Sequence, residues 1–531
     1  MRTPPANEAP SDLSTRLEAV TTERDTLKTE RDEYRRLYLD MLAQCRKLEL
    51  GLLGRGREKD VGADGQLAMS ILGLAGATAT PAPAPAATEQ VRAHERAKPT
   101  GRKPLPEKLP RVDVTILPPE VQARGTDAFE QIGEDVTETV ERRPASFVVV
   151  RVRKPKFVAK DRSNGAETVV LQAPPPELPI ARGLAGPALL ADTIVRRWED
   201  HLPLHRLERV YGRDGLELPR STVCAWHMTL ADLATPLLEA MWLDAFEAPY
   251  LCVDATGVLV QALQKCRHAH FFVVAAPDRH VLFGYSPKHD SAAVDALLKG
   301  YRGTLVADAH AVYDHLYADG AIVEAGCWAH ARRYFFKSIA TDPPRARVAL
   351  EWIRKLFEIE RRNSMASAEQ RLAARREFSR PIIDAFEAWC DEESSRVLDE
   401  TPVARGIGYA RNQRAALRRF LSDGRLPIHN NWSERELRRE AVGRKNWLFV
   451  GSDDGGRVNA TFVSLIASCR LHSLDPLEYL RDLLCLLPGW NVQRVLELAP
   501  SKWRETSLRD DVQRSLSDNV YRRASLGLDL K

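Results

Sequence analysis

The chain has 531 residues, 44% hydrophobic and 28% charged, with a formal net charge of +4 and eight cysteines. That length accommodates several domains at the usual ~100–200 residues each, while so small a net charge says little about partners and leaves positive charge as a local feature. The cysteines are scattered without a CxxC pair, which fits reduced thiols in a cytoplasmic protein. The opening MRTPPANEAPSD lacks the basic and apolar regions of a signal peptide. The longest uncharged stretch, Leu67 to Thr88, is broken by prolines and is no membrane span.

In chain order, residues 10–55 carry a heptad pattern. Its d positions are Leu13, Val20, Leu27, Tyr34, Met41 and Leu48; its a positions are Leu17, Arg24, Arg31, Tyr38, Cys45 and Leu52. Consecutive apolar d positions predict a coiled coil and a homo-oligomer formed through it, with a long helix packed on its own domain as the alternative. Residues 56–111 read as a linker, Ala/Pro/Thr-rich over 74–90, that ends in a basic arm of Lys98, Arg102, Lys103, Lys108 and Arg111. Residues 112–180 read as a small β-rich module containing SFVVVRV (146–152). Residues 181–245 look helical, and HRLERVYGRDGLELPRSTVCAWH has the outline of a helix-turn-helix. That outline would set Arg220, Ser221 and Thr222 near bases or phosphates, although any αα-hairpin can produce it.

The chemistry-bearing motifs follow. In YLCVDATGVLVQAL a short apolar run ends at Asp254, and a second run, Val258 to Leu263, begins after Thr256-Gly257. Two strand-like runs come next (269–276 and 280–286), then a helix capped by Ser291, then a strand ending near Asp308, with helical spacing from His310 to Tyr317. The late basic stretch HNNWSERELRREAVGRKNWLFVGSDDGG reads as a short helix and a strand or turn, with Glu434 set among Arg435, Arg438, Arg439, Arg444 and Lys445. Each carboxylate alone could be a cap, a turn residue or part of a solvated face. Together, two strand-end aspartates and a helical glutamate predict a ribonuclease-H-like fold whose cluster holds two Mg²⁺ ions ~3.5–4 Å apart for phosphodiester chemistry. Mn²⁺ is the permitted substitute. Asp308 lies 54 residues after Asp254, and Glu434 a further 126 after that. The second interval is too long for one connection and implies a helical insertion, 337–424, between core parts 246–336 and 425–470, with a helical tail over 471–531.

These residues resemble the insertion sequence 66 family of bacterial DDE transposases. The likeness is carried by VDATGV, VADAHAVY, GCWAHARRYF (326–335), NNWSERELRREAVGRKNWLFVGSDDGG and LDPLEYLRDLL (474–484). It implies that Asp254, Asp308 and Glu434 are the catalytic triad and metal ligands, and that the protein cuts and rejoins DNA at the terminal inverted repeats of its own element and at a target. It also puts GCWAHARRYF near the active site, with His330, Arg332 and Arg333 facing DNA. Two departures stand out. The family's zinc-binding module should occupy residues 112–180, which contain neither Cys nor His, so no zinc is expected there. His429 stands where the family tends to have an acid. Arg444 and Lys445 are expected to grip phosphates, with Arg435 and Arg438 beside them, and Trp447 to pack. The alternatives are a catalytically inactive DNA-binding or scaffold relic, and a resolvase-type nuclease on the same fold.

Overall fold

The computed structural model describes residues 109–143, 146–159 and 170–528, with scattered positions before 109. Almost all of the heptad segment and of the linker with its basic arm lies outside the described residues. The chain divides into two compact units. Among the described residues the larger takes the stretches up to His330, Ile359–Arg380 and from Gln413 onward; the smaller takes Ala331–Glu358 and Pro381–Asn412.

The larger unit opens with a four-stranded sheet of β1 (Arg111–Thr115), β2 (Phe129–Arg143), β3 (Ser146–Ala159) and β4 (Leu171–Gln172), with the short helix α1 (Pro119–Arg124) between the first two strands. Its order is β1-β3-β2, with β4 beside β3. Side chains alternate along β3, as the two-residue period of a strand requires. Val148, Val150 and Val152 pack with Tyr521 and Ala524, whereas Phe147 and Val149 join the main core with Leu189 and Tyr211. Both faces of β3 therefore bury apolar surface, the dominant favourable contribution to folding for a segment without Cys or His.

Glu141 of β2 is fully buried. Its Oε1 accepts the backbone N–H groups of Leu189 at 2.6 Å and Arg142 at 2.8 Å. It thereby satisfies the open amino end of α2 (Pro187–Trp198). A Cβ on Gly186 would collide with this carboxylate. Burial pushes the Glu141 pKa up to about 8, against the opposing pull of those N–H groups. Because the folded value is raised above the unfolded one, the stabilisation is complete below about pH 4.5 and is lost as pH climbs to about 8. Stability is expected to fall steadily with rising pH across that window because of this group. Denaturant midpoints at pH 5, 6.5 and 8 should show that slope in the parent and a shallower one in Glu141→Gln; equal slopes would refute the assignment.

Helix α3 (Leu204–Arg213) and helix α4 (Arg220–Ala245) follow α2. The αα-hairpin outline is present, but α4 continues for 26 residues as a core helix, burying Val223, Trp226, Leu230, Leu237 and Met241. In its first turn Arg220 and Ser221 are exposed and Thr222 is half-buried.

The second sheet comprises β5 (Tyr250–Val260), β6 (Arg267–Ala276), β7 (His280–Ser286), β8 (Gly303–Val306) and β9 (Ile322–Ala325). Its order is β7-β6-β5-β8-β9. The first three strands are antiparallel to one another, while β8 runs parallel to both β5 and β9. Phe271 to Ala276 is buried without interruption, as expected of a strand covered on both faces. Thr256-Gly257 does not end β5, which runs on as one strand because β6 continues to pair with it through Val260. Helix α5 (Ser291–Leu297) is capped by Asp290 rather than Ser291: the Asp290 side chain accepts Ala293 N–H at 3.0 Å. Ala311–Tyr317 is a 3₁₀-helix.

The segment from 328 to 447 is helical: α6 (Trp328–Lys337), α7 (Pro343–Arg362), α8 (Ala368–Ala374), α9 (Arg380–Ser394), α10 (Pro402–Asn412), α11 (Arg414–Arg418) and α12 (Asn431–Trp447). It is shared between the two units. In the larger unit Arg375, almost fully buried, pairs with Glu360 at 2.6 Å. It also donates to the carbonyls of Phe420, Asp423 and Leu426 at 2.8, 2.8 and 2.9 Å, which ties 359–380 to 413–426. In the smaller unit Phe335 packs on Phe386, ring centroids 5.9 Å apart. Helix α13 (Asp453–Leu471) then lies along β7. Ser464 Oγ accepts Phe283 N–H at 2.7 Å and Ser468 Oγ accepts Val281 N–H at 3.1 Å, so the open edge of the sheet is closed by hydroxyls. Helix α14 (Pro476–Leu486) begins the C-terminal stretch, and no helix among the described residues is long and apolar enough to cross a membrane.

Candidate active site

The register of the parallel strands brings the two aspartates to one end of the sheet. The last residue pair of the β5–β8 ladder is Cys252 with Val306. Asp254 and Asp308 each lie two residues beyond it, Asp254 still within β5 and Asp308 past the end of β8. Asp254 is therefore inside β5 but at the end of its parallel neighbour. Both aspartates accept the next backbone N–H through Oδ1 at 2.8 Å, from Ala255 and Ala309.

Glu434 reaches the same end from the first turn of α12. That helix is fastened to β5 at both ends. At its start, buried Asn430 donates through Nδ2 to the Val253 carbonyl at 2.8 Å, while its own N–H meets Cys327 Sγ at 3.2 Å. Towards its end, the Arg444 guanidinium donates to Thr256 Oγ1 at 2.9 Å and to the Gly257 carbonyl. Beyond the helix, Val450 bonds to Leu259 of β5 and to Gln261 just after it, at 2.8 Å each.

His330 lies between two of the three carboxylates. Its Nε2 is 3.5 Å from Asp308 Oδ2 and 3.3 Å from Glu434 Oε1. The ring is buried, and its Nδ1 makes no hydrogen bond among the described residues. Two anchors set its position: Trp328 N–H donates to Ile428 O at 3.1 Å, and Trp328 Nε1 donates to Leu417 O at 2.9 Å. The Tyr313 hydroxyl beside the cluster has its pKa raised by burial first and by the charges of Asp254 and Asp308 second. Burial also raises the Cys327 thiol and lowers His429. Among the described residues no group of three or more His, Cys, Asp or Glu side chains forms a ready metal cage; Asp308 and Glu434 share His330 instead.

The predicted DNA-facing residues separate into kinds. Arg435, Arg438 and Lys445 are exposed on α12, as are Arg332 and Arg333 on α6. The Arg332 guanidinium lies 5.6 Å from the Phe336 ring centroid. Arg439 is engaged with Glu199. Trp447 packs beneath Arg197, whose guanidinium is 5.6 Å from its ring centroid. His330 is buried against carboxylates and Arg444 is a strut between helix and strand, so neither presents the open cation that the sequence alone suggested. Asn430 was missed as a positioning residue; the paired asparagines at the start of the helix were its only signal.

The Transposase IS66 family model matches residues 182–458, more than half of the chain and all three carboxylates. The chain belongs to this transposase family. The family's C-terminal element matches residues 464–501, and a model described as Transposase C of IS166 homeodomain matches residues 41–114. Among curated relatives, the uncharacterized protein y4hP of Sinorhizobium fredii is 32% identical over 450 residues, covering 80% of each chain. The uncharacterized protein y4qI of the same organism is 31% identical over 431 residues, covering 77% of this chain and 79% of its own. Membership gives the chain a transposase function, as the motifs around Asp254, Asp308 and Glu434 implied.

Proposed function

We propose that this transposase cleaves and joins the ends of its element through Asp254, Asp308 and Glu434, on a ribonuclease-H-like core and with Mg²⁺ or Mn²⁺. The observation that carries the reading is the shared end of the sheet. Each aspartate lies two residues beyond the last pair of the β5–β8 ladder, and Glu434 is linked to one of them through His330. The strand order, three antiparallel strands followed by two parallel ones, supports the fold assignment. All three side chains offer carboxylate oxygen, the donor a hard divalent cation prefers, so Asp254, Asp308 and Glu434 would hold the metal. When bound, such ions supply activation of the attacking oxygen and stabilisation of the leaving oxygen.

The chain's own residues then do the positioning. Asn430 and Arg444 hold α12 against β5, which sets Glu434 beside the aspartates. His330 orients Asp308 and Glu434 toward each other, while Arg435, Arg438 and Lys445 offer cations to the phosphates on either side. In this reading hydrolysis frees a 3′-hydroxyl at each terminal repeat, and that hydroxyl attacks target DNA. The protein acts in the cytoplasm on nucleoid DNA. Purified protein with duplexes carrying the repeats should give nicked and joined products in Mg²⁺ or Mn²⁺, and none with a chelator. Selective cutting of branched DNA without joining would indicate a resolvase instead.

A further inference from the structure

Helix α3 shows a sharp division of its surface. At about 100° per residue, Arg206, Arg209 and Arg213 fall within an arc of roughly 60°, on the side opposite buried Leu207 and Tyr211. All three arginines are exposed, and among the described residues none of their side chains forms an ion pair or hydrogen bond. Several neighbouring arginines are instead paired. Arg142 and Arg196 meet Asp192 at 3.0 and 2.8 Å, Arg470 meets Glu199 at 2.6 Å, and Arg522 meets Asp482 at 2.7 Å. Glu208, the acid on this helix, points about 100° away from the nearest of the three.

We propose that the arginine face of α3 grips the backbone of duplex DNA at a site that shares no residue with the carboxylate cluster. This rests on reading the chain as a DNA-acting transposase. From Arg206 to Arg213 the helix advances ~10 Å, the length of axis over which one strand presents about three phosphates at ~3.4 Å each. Three guanidiniums on one stripe match that spacing in number and charge, and Arg suits phosphate through its planar fork. The helix crosses or follows the backbone and carries no base readout, so the grip is independent of sequence.

The test is a salt titration of full-length protein on random duplex DNA, followed by fluorescence anisotropy. It compares the parent with Arg206→Gln/Arg209→Gln/Arg213→Gln and with the same three positions changed to Lys. The Gln variant should lose roughly 2.7 from the slope of log affinity against log salt, about 0.9 per lost contact, and the Lys variant should keep most of it. Circular dichroism and melting should be unchanged, since all three side chains are exposed. A parent that binds DNA alongside a Gln variant of equal slope would overturn this inference and leave the proposed function standing. An unchanged slope with an altered mass in light scattering would make the face a protein interface and overturn it too. A parent without DNA affinity would overturn the function and the inference together.

Discussion

Glu434→Gln is expected to lower end cleavage by about 10³-fold or more while DNA affinity stays within a few-fold of the parent. Gln keeps the size of the side chain and its helical setting but removes the charge that a divalent ion needs. Loss of several kcal/mol of charge stabilisation in the transition state corresponds to that factor. Affinity survives because Arg435, Arg438 and Lys445 remain exposed on the same helix. Asp254→Asn and Asp308→Asn should behave alike, since both lie two residues beyond the last pair of the β5–β8 ladder. Single-turnover cleavage measured beside anisotropy separates chemistry from binding. A Glu434→Gln protein that cleaves at the parent rate would remove Glu434 from the reaction.

Trp328→Ala should cost about 3–5 kcal/mol of stability, the usual range for truncating a large buried aromatic. The ring is 1% exposed, and its Nε1 satisfies the Leu417 carbonyl. Removing it leaves both a cavity and a buried acceptor without its donor. The same residue fixes the start of the helix that carries His330, so cleavage should fall further than folding alone explains. Trp328→Phe keeps much of the packing and should recover roughly half of the lost stability. Denaturant unfolding of the three proteins would decide this, and a Trp328→Ala midpoint equal to the parent's would contradict it.

Much of this arrangement could be read from the residues. The apolar runs at 250–253, 269–276 and 280–286 gave the strands, because a strand covered on both faces is apolar throughout. Asp254, Asp308 and Glu434 stood out as carboxylates in punctuated or basic surroundings. The extent of β5 was not legible, since Thr256-Gly257 looks like a turn and only pairing with β6 keeps it extended. The parts played by His330 and Arg444 were not legible either. A basic side chain in a basic stretch looks DNA-facing until the fold shows its neighbours, here carboxylates 3.3 and 3.5 Å from His330 and the β5 backbone for Arg444. Ser291 looked like the cap of α5, but Asp290, one residue earlier and equally able to cap, takes that place. The tie of 359–380 to 413–426 was not legible, because Arg375 reaches carbonyls more than forty residues away, which no local pattern encodes.

In the proposed mechanism Asp254, Asp308 and Glu434 gather around one metal centre. Replacing Mg²⁺ with Fe²⁺ and adding ascorbate and peroxide generates radicals that cut the polypeptide close to a bound ion. Full-length protein treated in this way should be cut near residues 254, 308 and 434, with the cuts suppressed by excess Mg²⁺ and absent in Asp308→Asn. Cuts confined to other regions, or a pattern that persists unchanged in Asp308→Asn, would contradict the claim.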